Sequence, residues 1–180
     1  MKRLLTVSIA ALCFASSAQM VSAKEPVPMI KDGELKAPAD YKSWPRSLLG
    51  VQRLDLKQVR DIYINPIGAK AKAGEKFANG TISIMEVYKA ELEADGSPKK
   101  GGDGKLVKGA LVKVMVMGKD AGWGDSAPAG LKNGDWVYSA YGADAKTATS
   151  DDPKACRACH LPIGEAKDFI ASYDEYFKKP

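Results

Sequence analysis

Two cysteines separated by two residues, with a histidine directly after the second, lie in the last quarter of the chain: Cys156-Arg157-Ala158-Cys159-His160. Thiols at that spacing can each add to one vinyl group of a haem. On a helical turn the next residue's imidazole reaches the iron from the same side, which is the attachment pattern of a c-type haem. Neutral imidazole is a common proximal ligand, and iron held this way is tuned through its opposite face. A redox dithiol or half of a zinc site would use the same thiols. Neither needs the adjacent His160, and the chain has no second Cys or His cluster to complete a zinc site. His160 is the only histidine. The motif therefore predicts one haem c, bound through Cys156 and Cys159 with His160 on the iron, and no second imidazole for the far face.

The start of the chain indicates a compartment. Met1-Lys2-Arg3 is basic, Leu4 to Phe14 is mostly apolar, and Val21-Ser22-Ala23 is a small-residue cleavage site, so residues 1–23 read as a secretory signal peptide. A membrane anchor would need a longer apolar core, and polar residues follow this one. Cleavage removes Cys13, which leaves two cysteines, both used by the haem, and no structural disulfide. Export combined with haem attachment of this kind implies a bacterial periplasm and a protein not embedded in the membrane. Residues 24–180 are then a single domain of 157 residues, large enough for a core and a haem pocket. The formal charge of +5 falls to +3 without Lys2 and Arg3, and two haem propionates would lower it further. So mild a surplus does not point to nucleic acid or a membrane surface, and it leaves small soluble partners open, a small redox protein among them.

The elements that must position the motif follow in chain order. Lys24 to Ala39 is rich in Pro, Lys and Asp and reads as extended surface chain. Tyr41 to Pro45 suggests a helical turn that ends before the proline, with Trp44 in the core. Lys57 to Ile64 suggests a strand with imperfect alternation. Asn65-Pro66 is a helix start, and the Ala/Lys run through Ala73 would end at Gly74. Asn79-Gly80 turns into the clearest strand, Thr81 to Tyr88. Glu93 to Lys105 reads as a mobile hairpin loop before a second long strand, Leu106 to Met117. A loop from Lys119 to Asn133 precedes a strand from Asp135 to Tyr141. Asp152-Pro153 is again an N-cap followed by proline, so the haem motif should open a short helix, and Asp168 to Phe177 shows the apolar stripe of a terminal helix. The sum is α+β, mainly β: an antiparallel sheet of about four or five strands with short helices, and haem c attached on a C-terminal helix.

This order of elements resembles the cytochrome P-460 family and its relatives, the cytochromes c′-beta. The resemblance rests on Tyr41 and Trp44, on Val59-Arg60-Asp61-Ile62-Tyr63-Ile64-Asn65-Pro66, and on Phe77-Ala78-Asn79-Gly80-Thr81. It continues through Gly134-Asp135-Trp136 to Cys156-Arg157-Ala158-Cys159-His160. The helical cytochromes c′ also carry a late haem motif, but the β-patterned middle argues against their four-helix bundle. The resemblance implies a mostly β protein, often a homodimer, whose haem has one histidine ligand and an open distal side.

The family has two branches. In the hydroxylamine-oxidising branch a lysine on the strand after the Asn/Asp-Gly-Thr turn bonds to a haem meso carbon. Counted from Gly80-Thr81, that position here is Met85, and a thioether cannot make the bond. Lys89 lies on the same strand face but ~13 Å further along. The other branch lacks the cross-link and offers an apolar pocket suited to NO or CO. Met85 has three readings: core packing, lining of the distal pocket, or sixth ligand to the iron in an electron carrier. Met115 and Met117 are expected to pack in the core, and Lys113 and Glu86 to be solvated. Two functions follow. One is an open haem that binds or converts small nitrogen oxides or peroxide. The other is a six-coordinate electron-transfer cytochrome with Met85 opposite His160.

Overall fold

The computed structural model describes residues 27–178, and the expected signal peptide lies outside them. The chain forms one five-stranded sheet whose strands neighbour one another in sequence order, every pair antiparallel. The strands are β1 (Arg46–Arg53), β2 (Gln58–Ile64), β3 (Thr81–Ala90), β4 (Lys108–Lys119) and β5 (Trp136–Gly142). Two short α-helices follow, α1 (Pro153–His160) and α2 (Tyr173–Phe177). The fold is thus α+β and mainly β. Among the described residues no helix is long and apolar enough to cross a membrane.

Alternation decides the two faces of the sheet. On one face Tyr63, Ile84, Val114, Val116, Val137 and Tyr141 form a buried cluster, covered by Leu35, Tyr41 and Trp123. Full burial of side chains such as Ile84 and Val114 contributes about 1.5–3 kcal/mol each. The opposite face carries Ile64, Met117 and Tyr138, on which Trp136, Phe77, Tyr173 and Cys156 gather in a second cluster. The expected helical turn before Pro45 is present at Tyr41–Ser43, and Trp44 packs half-buried on the first cluster.

Several expectations are corrected. Residues 24–39 are not merely surface chain where described: Leu35 is buried, and the backbone of Gly33 donates to the Tyr138 carbonyl at 2.8 Å. This segment covers the outer edge of β5, an edge that would otherwise expose unpaired backbone groups. Leu35 also reaches over the sheet face, where a β-carbon at Gly118 of β4 would stand 2.5 Å from its Cδ2. Strand β1 has no clear alternation in the sequence because Gly50, at φ +66°, sits in an irregular register that breaks the period. Strand β2 alternates imperfectly because Asp61 occupies an inward position. Its carboxylate accepts from the Gly50 amide at 2.8 Å and from Lys108 Nζ at 2.6 Å.

The expected helix after Asn65 is a single 3-10 turn, Gly68–Lys70, held by the Asn65 side chain on the Gly68 amide. Glu93 to Lys105 is not a loose loop, since isolated bridges pair Leu92 with Pro98 and Lys100 with Leu106. The terminal helix begins at Tyr173, not Asp168. Asp168 and Phe169 both have left-handed backbones, at φ +47° and +58°, which no right-handed helix accommodates.

Candidate functional site

Helix α1 starts where its sequence places it. The Asp152 carboxylate accepts from the Lys154 amide at 2.9 Å, and Pro153 occupies the first turn. Spacings of three and four residues then bring Cys156, Cys159 and His160 onto one side of the helix. Both cysteines are free, Cys156 half-buried and Cys159 exposed. Burial pushes the Cys156 thiol up, and the charges of Asp151 and Asp32 push it further.

Arg157 faces inward and docks the helix. Its guanidinium is fully buried and pairs through Nε and Nη2 with the Asp32 carboxylate at 2.5 and 3.0 Å. Nη2 also donates to the Trp136 carbonyl at 3.0 Å, and the group stands over the Tyr138 ring at 5.4 Å. Asn133 Nδ2 donates to the Arg157 carbonyl at 3.2 Å. A buried guanidinium is tolerated only when its donors are met in this way.

His160 Nδ1 lies 2.6 Å from the Phe169 carbonyl oxygen. A carbonyl only accepts, so Nδ1 carries the hydrogen and Nε2 is the nitrogen left for a metal. Burial pushes the imidazole below its ordinary pKa against the opposing effect of the carbonyl, which favours the neutral, ligating form. The ring lies 5.1 Å from that of Tyr138. Phe169 presents its carbonyl from the left-handed pair Asp168-Phe169, a conformation costing roughly 1–2 kcal/mol per residue outside glycine. The Asp168 carboxylate is fixed by Lys119 Nζ, at 3.0 and 2.8 Å to its two oxygens, and by the Phe77 amide at 2.8 Å. No local sequence signal marks this pair, because Lys119 and Asp168 lie 49 residues apart.

The sheet face beneath α1 is set by register. One row across it is Ile64, Ser83, Met117 and Tyr138; the next is Ile62, Met85, Met115 and Ala140. Met85 therefore shares the face on which Tyr138 meets His160, one row away and directly opposite Met115. Both methionines are half-buried. Met117, rather than Met85, packs in the cluster that contains Cys156. A third row aligns Arg60, Val87 and Lys113, and Lys113 pairs with Asp151 at 2.7 Å just ahead of α1.

The expectation of a solvated Glu86 is overturned. Glu86 is 1% exposed on the other face, where the hydroxyls of Tyr41, Tyr63 and Tyr88 donate to it at 2.8, 3.0 and 2.7 Å, and Lys42 Nζ at 3.0 Å. Three phenols reached from separate elements make this carboxylate a core residue.

The donor set fits a haem c: two free thiols and an imidazole with Nε2 available, beside a methionine-rich sheet face. The Tyr138 hydroxyl, buried without a partner among the described residues, lies on that face as well. An antiparallel sheet carrying a Cys-x-x-Cys-His helix at one end defines a mainly β haem protein and excludes a four-helix bundle. The family model of Cytochrome P460 matches residues 38–172, and the chain belongs to the cytochrome P460 family. It is accordingly a haem c cytochrome. No curated protein matches the chain.

Proposed function

We propose that the chain is a periplasmic mono-haem cytochrome with an open distal site that binds or converts small nitrogen oxides, NO first among them. Cys156 and Cys159 hold the haem covalently, and His160 is the proximal ligand. When bound, the haem supplies the iron at which a diatomic is taken up and through which electrons pass. The chain's residues do the rest. Phe169 holds the proton on His160 Nδ1 so that Nε2 faces the metal. Tyr138 backs the imidazole ring. Met85, Met115 and Ile62 line an apolar face that admits a small neutral molecule and disfavours ions, since burying an unpaired charge there is costly. The hydroxylamine branch of the family needs a lysine amine where this chain has Met85, which weighs against that chemistry here. Residues 1–23 support export to the periplasm, where a small redox protein is the electron partner. The mild net charge supports no role for nucleic acid, and the family supports a homodimer.

The observation that carries the haem assignment is the fixed tautomer of the sole histidine, which leaves Nε2 for the iron. The open far side draws its support from the family, since a methionine could close it as well. Optical spectra of the ferrous protein test it. A five-coordinate spectrum that converts rapidly on adding NO or CO is expected. A six-coordinate spectrum that resists CO would favour the second reading, an electron carrier with Met85 as sixth ligand. That reading draws its support from the half-buried Met85 on the His160 side of the sheet.

A further inference from the structure

We infer that Lys119 and Asp168 are positioning residues that set the strength of the iron–His160 bond. The inference rests on His160 being the proximal ligand. The contacts form one unbroken line. Lys119 ends β4, where the register fixes it between Thr81 and Trp136, and its Nζ also stands 5.7 Å over the Trp136 ring. From there it grips both oxygens of Asp168, which in addition accepts from the Phe77 amide. The next residue, Phe169, delivers its carbonyl to His160 Nδ1 at 2.6 Å.

Two features separate this pair from ordinary packing. A buried ion pair is rarely the most stable filling for its site, and apolar replacements of similar volume are often neutral or stabilising. Lys119 and Asp168 have only 10% and 3% of their side chains exposed, so stability alone does not account for them. The second feature is the backbone. Asp168 and Phe169 are consecutive non-glycine residues in the left-handed region, a conformation that persists only where surrounding contacts over-determine it. The backbone contributes bonds from the Asp168 amide to Glu165 and from the Phe169 amide to Gly164, both at 3.0 Å, and the carboxylate adds three more from a distant strand and loop. Without the carboxylate's bonds the turn is held only by its own backbone, and the Phe169 carbonyl is less firmly set against the imidazole.

A strong hydrogen bond at Nδ1 raises the basicity of a ligating histidine and fixes its ring. The ion pair therefore acts on the iron at two removes. With haem bound, it would stiffen the iron–His160 bond and favour the oxidised metal.

The test uses the full haem-loaded protein. Resonance Raman of the ferrous form reads the iron–histidine stretch, and a redox titration reads the potential. Lys119→Met and Asp168→Asn are expected to move the stretch to lower frequency and raise the potential. Lys119→Arg, which can still reach both oxygens, is expected to restore both. Glu165→Gln, which alters only the exposed pair with Lys76, serves as the control and is expected to move neither. A wild-type band that stays in place in Lys119→Met while the melting temperature falls would show a purely structural pair and overturn the inference alone. Absence of an iron–histidine band from a wild type whose ferrous optical spectrum is five-coordinate would overturn the proximal assignment of His160, and the inference with it. A six-coordinate spectrum would overturn the open distal site instead and leave the potentials of the variants to decide the inference. Should Asp168→Asn fail to fold, Lys119→Met and Lys119→Arg carry the decision.

Discussion

The Glu86 carboxylate and the Tyr41 hydroxyl meet at 2.8 Å in the core, across 45 residues of chain. Burial pushes the acid's pKa up, but bonds from Tyr88, Lys42, Tyr41 and Tyr63 outweigh that and hold it below the ordinary glutamate value. A folded-state pKa below the unfolded one gives stability that is fully present above the unfolded value and is lost as pH falls through the folded one. The stability difference between wild type and Glu86→Gln is therefore expected to be largest near neutrality, at about 1–3 kcal/mol. It should shrink as pH falls below roughly 4.3. Urea titrations at stepped pH check this, and a difference that grows toward acid would refute it.

His160→Ala is expected to keep the haem on its two thiols but lose the spectral signature of a proximal imidazole. Mass spectrometry of the wild type should give the 157-residue chain plus one haem, with no hydrogens lost to a third covalent bond. A strongly red-shifted ferrous band would reveal a cross-link and direct attention to Lys89.

Met85→Leu is expected to leave the ferrous spectrum nearly unchanged while altering the rate of NO or CO binding. The swap conserves volume on the apolar sheet face, so stability should change by less than about 1.5 kcal/mol. Conversion from low to high spin in that variant would establish the thioether as an iron ligand.

Removing the Asp32 carboxylate strands the Arg157 guanidinium, which is fully buried. Asp32→Ala is expected to cost about 3 kcal/mol, near the lower end for a broken buried pair, because the Trp136 and Leu131 carbonyls still accept from Arg157. Denaturant unfolding with the haem in place measures it.

Strands β3, β4 and β5 were legible because β-branched and aromatic residues alternate over long runs and because Asn-Gly turns precede β3 and β5. The haem helix was legible because N-cap, proline and motif are all local. What escaped depends on partners distant in sequence. Glu86 reads as a solvent-facing charge until Tyr41 and Tyr63 arrive from elsewhere in the chain. Asp168 and Phe169 sit within a helix-like apolar stripe, and only contacts with Lys119 and Phe77 explain the left-handed turn. Gly50 hid β1 by interrupting the period on which its detection depends.

The clasp between Asp32 and Arg157 joins residues 125 positions apart. One half of it precedes the sheet in the chain and the other follows it, so the loop that it closes contains all five strands. Contacts of such separation carry a large loop-closure cost and form slowly. The docking of α1 on its Arg157 side therefore depends on a residue that precedes the whole sheet: a change at Asp32 reaches the helix that carries Cys156, although 125 residues separate the two halves of the clasp.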